Sequence, residues 1–400
     1  MQSDNKSDGN KKPRMKKVTL GILGFIGATI LGVIISTPVN DFITAWKEKP
    51  YSSKYIAIVT SDADPSFTIP MEFRKGFGHH NPYSTKNNQE IRFETRDDQL
   101  SEVQTKVISD NLINDPNCIM IIGNSNSTLS DVTLNAILNS NQIKPVFILP
   151  IASADNLIKK SGSEGYKSIL RMIPDNKNQA KVITRFILNK ISNTAKVIIL
   201  VDEENQTYSN NLAKNVASGI IAGEGNIILS KYYGNNNRFV PEYEVLRKNK
   251  IKFDVIVYVG ISSNGILLIE EMKTLKIKTP IIFTDGCTVE ELMEKAKQAF
   301  GNNAYFLSAV SKLENNIKPT YEPIGKDAFN LAMSILKAVE GQGPITRESV
   351  SRYVAENKTN IDFSGEAGYY HFSEDGNNDK MDFIVYTYRN NTLNDVKGIK

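Results

Sequence analysis

Six apolar runs of strand length recur along the sequence, and each is continuous rather than alternating with polar residues. A strand with one face in water alternates apolar and polar side chains, whereas a strand buried on both faces is apolar throughout. Continuous runs are therefore typical of the central strands of a parallel sheet that helices cover. The runs are YIAIVT (55–60), CIMIIG (118–123), PVFILP (145–150), KVIILV (196–201), VIVYVG (255–260) and PIIFT (280–284).

The segments between these runs have the spacing of helices. Leu212, Val216 and Ile220, for example, stand four residues apart, which places them on one helical face. Strands that alternate with helices over about 250 residues predict doubly wound α/β units. A proline-containing break divides the strands into two groups, 55–172 and 173–305, and a chain of 400 residues is long enough for two such units.

The N-terminal segment has the composition of a membrane anchor. Residues 1–17 hold six lysines and arginines, and residues 18–36 (VTLGILGFIGATILGVIIS) contain no charged residue. A membrane span needs about 20 apolar residues, and flanking positive charge stays on the cytoplasmic side. We predict a cytoplasmic basic tail (1–17), an uncleaved transmembrane signal anchor (18–36) that crosses the cell membrane once, and a tether (37–54) to a domain outside the cytoplasm. The alternative is a long signal peptide that is cleaved near residue 36.

Charge and motifs exclude several functional classes. The net charge of +4 falls entirely within residues 1–17, which makes nucleic acid a poor partner for the remainder. No phosphate-binding glycine loop or nucleophile elbow occurs, and the pair His79-His80 has no cysteine or carboxylate at metal-ligand spacing. We therefore predict no catalytic residue, no metal and no cofactor. Cys118 and Cys287 are predicted to be free thiols.

Four segments, taken in chain order, resemble one protein family. They are RMIPDNKNQAK with the later VIILVDEENQTYSNNLA, FDVIVYVG with the later IIFTDG, YEPIGKDAFNLAMSILKAV, and FSGEAGYYHFSEDGNNDK. Together they resemble the type I periplasmic binding proteins, in particular the branched-chain amino acid (Leu/Ile/Val) binding family. The similarity runs from about residue 55 to residue 390, and the ordered set is more specific than any one motif.

This resemblance implies two Rossmann-like, doubly wound lobes that are joined by three crossovers. Lobe 1 would comprise residues 55–172 and 306–375, and lobe 2 would comprise residues 173–305 and 376–400. It also implies that a small ligand binds in the cleft between the lobes. The general behaviour of open parallel sheets agrees, because ligands bind beyond the carboxyl ends of the strands, at the turns that lead into helices.

Tyr208 stands alone in the most polar of these turns, DEENQTY, directly before a helical pattern. Its position at a strand-to-helix turn predicts that the ring faces the cleft rather than a core. The resemblance implies that it packs over the ligand, where a flat ring supplies apolar contact and a hydroxyl supplies one hydrogen bond. The alternative is a solvated turn tyrosine.

The resemblance implies four further ligand contacts at such turns. Ser127 is favoured over Ser125 as a donor to a ligand carboxylate, although a serine there also caps the following helix. The carbonyl of Ile151 would accept from an ammonium group, and the hydroxyl of Ser153 would bind a carboxylate. Asp285 would pair with the ammonium group, although Asp-Gly is also an ordinary turn sequence.

These residues predict an amino acid or a related amide as the ligand. The family often has aromatic residues at the positions of Thr68 and Ile261, so the side-chain pocket differs here. We predict a solute-binding protein that serves an ABC-type permease. The alternatives are a ligand-sensing ectodomain that acts through a separate membrane partner, such as a sensor kinase, and, less favoured, an enzyme on the same fold.

Overall fold

The computed structural model describes residues 53–61, 68–309 and 320–396. The predicted basic tail and membrane anchor, and all but the end of the predicted tether, lie outside these residues. Within the described part of the chain, no helix is long and apolar enough to cross a membrane.

The first sheet has six strands in the order β2-β3-β1-β4-β5-β6. All neighbouring strands are parallel except the short edge strand β2, which pairs antiparallel with β3. The strands of this sheet are β1 (Lys54–Thr60), β2 (Tyr83–Ser84), β3 (Glu90–Asp97), β4 (Cys118–Gly123), β5 (Val146–Leu149) and β6 (Ile169–Arg171).

The second sheet has seven strands in the order β15-β14-β11-β10-β9-β7-β8. Strands β7 to β11 run parallel, and β14 and β15 extend the sheet in antiparallel fashion from β11. Its strands are β7 (Lys196–Asp202), β8 (Asn226–Tyr233), β9 (Val255–Val259), β10 (Ile281–Phe283), β11 (Ala304–Ser308), β14 (Ile384–Arg389) and β15 (Thr392–Asp395). A separate hairpin pairs β12 (Asp362–Ser364) with β13 (Tyr369–His371).

Helices follow most of the strands, which confirms the α/β prediction. They are α1 (Thr68–Phe77), α2 (Glu102–Asn114), α3 (Ser127–Asn139), α4 (Asp155–Ser163), α5 (Asn176–Phe186), α6 (Gln206–Ala222), α7 (Val240–Lys248), α8 (Ser262–Thr274), α9 (Glu290–Phe300), α10 (Glu322–Glu340) and α11 (Arg347–Asn357). A π-helical turn (Ile187–Ile191) extends α5, and 3-10 turns lie at Asp285–Cys287, Gly301–Asn303 and Lys358–Asn360.

The chain passes between the two sheets three times. It leaves the first sheet after β6, and it leaves the second sheet after β11 to form α10 and α11, which pack against α1 and against β4 and β5 of the first sheet. It returns to the second sheet with β14. The predicted boundary between residues 305 and 306 falls inside β11, so this strand belongs whole to the second sheet.

The continuous apolar runs are the buried centres of the two sheets. Every residue of β4, β5, β9 and β10 is buried, as expected for strands with helices on both faces. The edge strand β8 was not among the predicted runs, because only one of its eight residues is buried.

Helix α10 approaches α1 closely at two glycines. A Cβ atom at Gly325 would lie 2.1 Å from the carbonyl oxygen of Phe73, and a Cβ atom at Gly76 would meet the backbone of Glu322. The Glu72 carboxylate accepts a hydrogen bond from the backbone N–H of Tyr321 at 2.8 Å. This crossing brings Tyr321, which directly precedes α10, to the turns where the strands of both sheets end.

Candidate functional site

All five predicted ligand contacts line one small cavity between the carboxyl ends of the strands of the two sheets. This inner cavity has a volume of about 40 Å³. Ser127, Ile151 and Ser153 come from turns of the first sheet, and Tyr208 and Asp285 come from turns of the second. Its other lining residues are Ile69, Ser125, Asn126, Asn205, Ile261, Gly286 and Tyr321.

The turn after β4 places the N-terminal end of α3 at the wall of the inner cavity. Asn126 caps α3, because its side-chain oxygen accepts from the backbone N–H of Leu129 at 2.9 Å. The cap therefore does not depend on Ser127, whose hydroxyl accepts from the backbone N–H of Ala154 at 3.3 Å and joins two turns. Ser125 lines the cavity as well, and its hydroxyl lies 3.2 Å from that of Thr60.

The buried Arg171 stabilises the turn after β5 by hydrogen bonds to its backbone. The guanidinium group of Arg171 donates to the carbonyl oxygens of Ser153 at 2.5 Å and Ala154 at 3.0 Å. Asn176 donates its backbone N–H to the same Ser153 carbonyl at 2.8 Å. Burial lowers the pKa of Arg171, which has no carboxylate ion-pair partner among the described residues. The Ser153 hydroxyl makes no hydrogen bond within the described part of the chain and remains available at the cavity wall.

Tyr208 belongs to the cavity wall and to the hydrophobic core at once. The side chain is 4% exposed and packs in a large apolar cluster, which excludes the alternative of a solvated turn residue. Its hydroxyl donates to Oδ1 of Asp285 at 2.5 Å and lies 3.0 Å from Oε1 of Gln179. The polar turn therefore leads into α6, and the Tyr208 ring points from the first turn of this helix into the protein interior.

Asp285 is a buried carboxyl group, with 4% of its surface exposed. Burial raises its pKa, and hydrogen bonding from Tyr208 and from the backbone N–H of Gly286 opposes this rise. Within residues 53–61, 68–309 and 320–396, no lysine, arginine or histidine forms an ion pair with it. The Tyr321 hydroxyl donates to its carbonyl oxygen at 3.0 Å and fixes the turn. The site therefore presents a carboxylate that lacks a cationic partner in the described protein.

A larger outer cavity of about 320 Å³ adjoins the inner one. The two share six lining residues: Ile69, Ser125, Asn126, Asn205, Ile261 and Gly286. The outer cavity alone is lined by Pro70, Leu100, Glu204 and Ser262. Ligand pockets commonly have volumes of about 300–1,000 Å³, so the outer cavity reaches the lower end of this range.

Hydrogen bonds join the two halves of the molecule, each built on one of the two sheets, close to the inner cavity. The Thr128 hydroxyl, at the start of α3, donates to Oδ1 of Asn205 at 3.1 Å and accepts from the backbone N–H of Thr207 at 3.3 Å. A second link runs from Nδ2 of Asn215 to Oδ2 of Asp155 at 2.6 Å. These contacts connect the first turns of α3 and α4 with α6.

Sequence reasoning did not identify Tyr321, Asn205 or Glu204 as lining residues. Tyr321 lies far along the chain from the other cavity residues and reaches them only through the α1–α10 crossing. Glu204 and Asn205 lie in the same polar turn as Tyr208. Because Tyr208 was predicted to line the cleft, these two neighbours could have been predicted to line it as well. Cys118 and Cys287 are free, as predicted, and both are fully buried. The described residues contain no group of three or more potential metal ligands.

No protein-family model matches the chain, and no curated protein sequence does. Solved structures do match its fold. A leucine-binding protein of Thermotoga maritima has a TM-score of 0.71 and 16% identity over 86% of this chain and 97% of that one. A branched-chain amino acid transporter substrate-binding protein of Streptococcus pneumoniae, in complex with isoleucine, has a TM-score of 0.67 and 19% identity over 87% and 100%.

A third solved structure binds a different kind of ligand. The solute-binding protein of an ABC transporter from Rhodopseudomonas palustris, in complex with benzoate, has a TM-score of 0.67 and 14% identity over 86% of this chain and 96% of that one. These neighbours are solute-binding proteins rather than enzymes, which agrees with the lack of a catalytic motif. At such identities the likeness shows the fold alone. The chain has the α/β fold of the type I periplasmic binding proteins.

Proposed function

We propose that the chain is an extracytoplasmic solute-binding protein that captures an amino acid or a related amide for an ABC-type transporter. One observation carries this proposal: five residues chosen from separate turns of the sequence line a single cavity, and one of them is a buried carboxylate without a cationic partner among the described residues. The solved neighbours that bind leucine and isoleucine support the ligand class.

The cavity offers complementary groups for the two ends of an amino acid. The ligand ammonium group pairs with Asp285, where it supplies the missing positive charge. The ligand carboxylate faces the Ser153 hydroxyl and the first turn of α3, because the N-terminus of a helix favours an anion. Tyr208 covers the ligand between these ends. Charge-assisted hydrogen bonds of this kind are each worth about 1.5–3 kcal/mol.

Binding requires the two halves to separate and close again. The inner cavity of about 40 Å³ has room for a few water molecules rather than for an amino acid. We expect the links from Thr128 to Asn205 and from Asn215 to Asp155 to break when the cleft opens. Small-angle scattering at ligand saturation should give a smaller radius of gyration than scattering without ligand, and an unchanged profile would contradict the hinge.

The proposed location rests on residues 18–36, which we propose anchor the protein in the cell membrane. The mature protein should then keep its N-terminus and fractionate with membranes. A soluble protein whose mature N-terminus lies between residues 36 and 55 would disprove the anchor without affecting the binding site. Co-purification with a permease supports transport, whereas co-purification with a sensor kinase supports sensing.

A thermal-shift screen of amino acids, amides, short peptides and sugars tests the function most directly. We expect stabilisation by amino acids or their amides, and an affinity for Asp285→Ala that is weaker by at least about tenfold, or about 1.4 kcal/mol. If only sugars stabilise the protein, or if Asp285→Ala binds the amino acid as well as the wild type does, the assigned site is wrong.

A further inference from the structure

The outer cavity has one ionisable group in an otherwise neutral lining. Glu204 is the only carboxylate among its described lining residues, and no lysine, arginine or histidine is among them. Its walls include the apolar side chains of Ile69, Leu100 and Ile261. Such walls suit a chain of methylene groups, which packs against apolar surface while its charged end reaches a polar partner.

The Glu204 side chain is exposed, and its carboxylate interacts with the side chains of Asn264 and Ser263. It accepts from the Ser263 hydroxyl at 3.5 Å, which is a long distance for a hydrogen bond. By contrast, the neighbouring Glu203 carboxylate accepts from Nδ2 of Asn237 at 2.5 Å and does not line the cavity. Glu204 is thus the acidic residue of this turn that lines the outer cavity.

A buried carboxylate, that of Asp202, lies two residues before the exposed Glu204. Asp202 is completely buried and accepts hydrogen bonds from the Tyr258 hydroxyl at 2.5 Å and from the backbone N–H of Glu204 at 2.7 Å. Burial raises the pKa of Glu204, and the negative charge of Asp202 raises it further. Two carboxyl groups therefore lie on this side of the cleft, and a cation beside Glu204 would favour its ionised form.

The charges of the two cavities together constrain the ligand. A neutral zwitterion leaves the net negative charge of Asp285 and Glu204 unchanged, whereas an amino acid with a basic side chain offsets one of the two. We infer that the outer cavity is a subsite for a second cationic group, so that the ligands are amino acids or amides whose side chain ends in a basic nitrogen. This inference rests on the proposed function, because it takes the ammonium group next to the α-carbon to lie at Asp285.

Three pairs of isosteric ligands test the subsite in the full 400-residue chain. In each pair a terminal ammonium group replaces a methyl group: 2,4-diaminobutyrate with norvaline, ornithine with norleucine, and lysine with 2-aminoheptanoate. Calorimetric titration should show that the basic member of the best-bound pair binds at least about tenfold more tightly. Tighter binding of the neutral member in all three pairs would overturn the inference.

Two matched variants assign the preference to Glu204. Glu204→Gln should remove the preference, so that the two members of the pair bind the variant with affinities within about twofold of each other. Glu203→Gln, in the same turn but outside the cavity lining, should keep the preference. A preference that survives Glu204→Gln places the second cation elsewhere and overturns the inference.

The failure of the subsite and the failure of the function give different results. If the neutral amino acids bind and Asp285→Ala abolishes this, but no pair shows a preference, the inference is wrong and the function stands. If neither member of any pair binds, and the wider amino-acid screen is also negative, the proposed function is wrong and the subsite falls with it.

Discussion

Asp285 and Asp327 are buried aspartates in different regions of the molecule. Asp327, on α10, is 0% exposed and accepts two backbone N–H bonds of 2.8 Å from the turn between β12 and β13, together with the Tyr370 hydroxyl at 2.9 Å. Asp285 lines the inner cavity and accepts from the Tyr208 hydroxyl. Burial raises the pKa of both carboxyl groups. Burial and a raised pKa therefore do not distinguish a ligand-binding carboxylate from a structural one.

What distinguishes them is where their remaining hydrogen-bonding capacity points. The oxygens of Asp327 bind fixed groups of the protein, and Gly365 leaves the space for this contact, since a Cβ atom there would lie 2.3 Å from Oδ2. Asp285 borders open volume that a ligand group can enter. We expect replacement of Asp327 to change stability, and replacement of Asp285 to change binding.

The largest expected effect is on stability. Asp327→Ala leaves one buried and one partly buried N–H group and the buried Tyr370 hydroxyl without their acceptor, and should lower the free energy of unfolding by at least about 3 kcal/mol. Chemical denaturation measures this change. Ligand affinity, measured where the variant is still folded, should match the wild type. Asp362→Ala, an exposed aspartate of the same hairpin, should change stability by less than about 1 kcal/mol.

Asp285→Asn should have the opposite pattern. Affinity for an amino-acid ligand should fall by at least about tenfold, because the amide lacks the charge that pairs with ammonium. The folded-state pKa of Asp285 is raised above its unfolded value, so folding disfavours the ionised form and the charge costs stability at neutral pH. Without ligand, the variant should therefore unfold at a higher temperature than the wild type at pH 7. Equal or lower stability would show that the hydrogen bonds accepted by the Asp285 carboxylate outweigh the cost of burying its charge.

The pH dependence of affinity follows from the same raised pKa. A ligand ammonium group favours the ionised carboxylate and lowers the pKa of Asp285 in the complex. Affinity should be constant above the pKa of the free protein and should fall as the pH decreases from there towards the pKa of the complex. Titration calorimetry across acidic to neutral pH measures this, with Asp285→Asn as a control that should not show the decline. A profile shared by wild type and control would assign the titration to another group.

Tyr208→Phe should have the smallest effect. The ring and its packing remain, and the lost hydroxyl bond to Asp285 should weaken binding by about fivefold, or about 1 kcal/mol. Because this bond holds the pKa of Asp285 down, the decline in affinity should also begin at a higher pH than in the wild type. An unmoved profile would show that the hydroxyl does not influence the carboxylate.

Much of the fold could be predicted because burial on both faces leaves a local signal. The apolar runs at β4 and β7 coincide with the observed strands to within one residue, since the centres of strands in a covered parallel sheet are apolar. Strands such as β3, which has only one fully buried residue, leave no such signal. Short pairings such as β12–β13 depend on contacts with distant segments.

The residues of the candidate site also fall into two groups: some could be predicted from the sequence, and others depend on tertiary contacts. Residues at the turns after strands, such as Ser153 and Asp285, could be located because their turns resemble those of the Leu/Ile/Val-binding family, and ligands of open parallel sheets bind at such turns. Tyr321 could not, since its approach depends on the glycine crossing of α1 and α10. The significance of Glu204 also depends on tertiary structure, because the contrast with Glu203 arises from hydrogen bonds to Asn237 and from the position of the cavity.

The return of the chain to the second sheet has a consequence for synthesis and for truncation. Strand β11 pairs with β10 on one edge, and its other edge is covered only when β14 arrives from the C-terminal end of the chain. A polypeptide that stops between these strands exposes a row of unpaired backbone groups beside a buried apolar sheet, which is a template for pairing with another chain. Premature termination before residue 384 should therefore yield aggregates rather than a weaker binder.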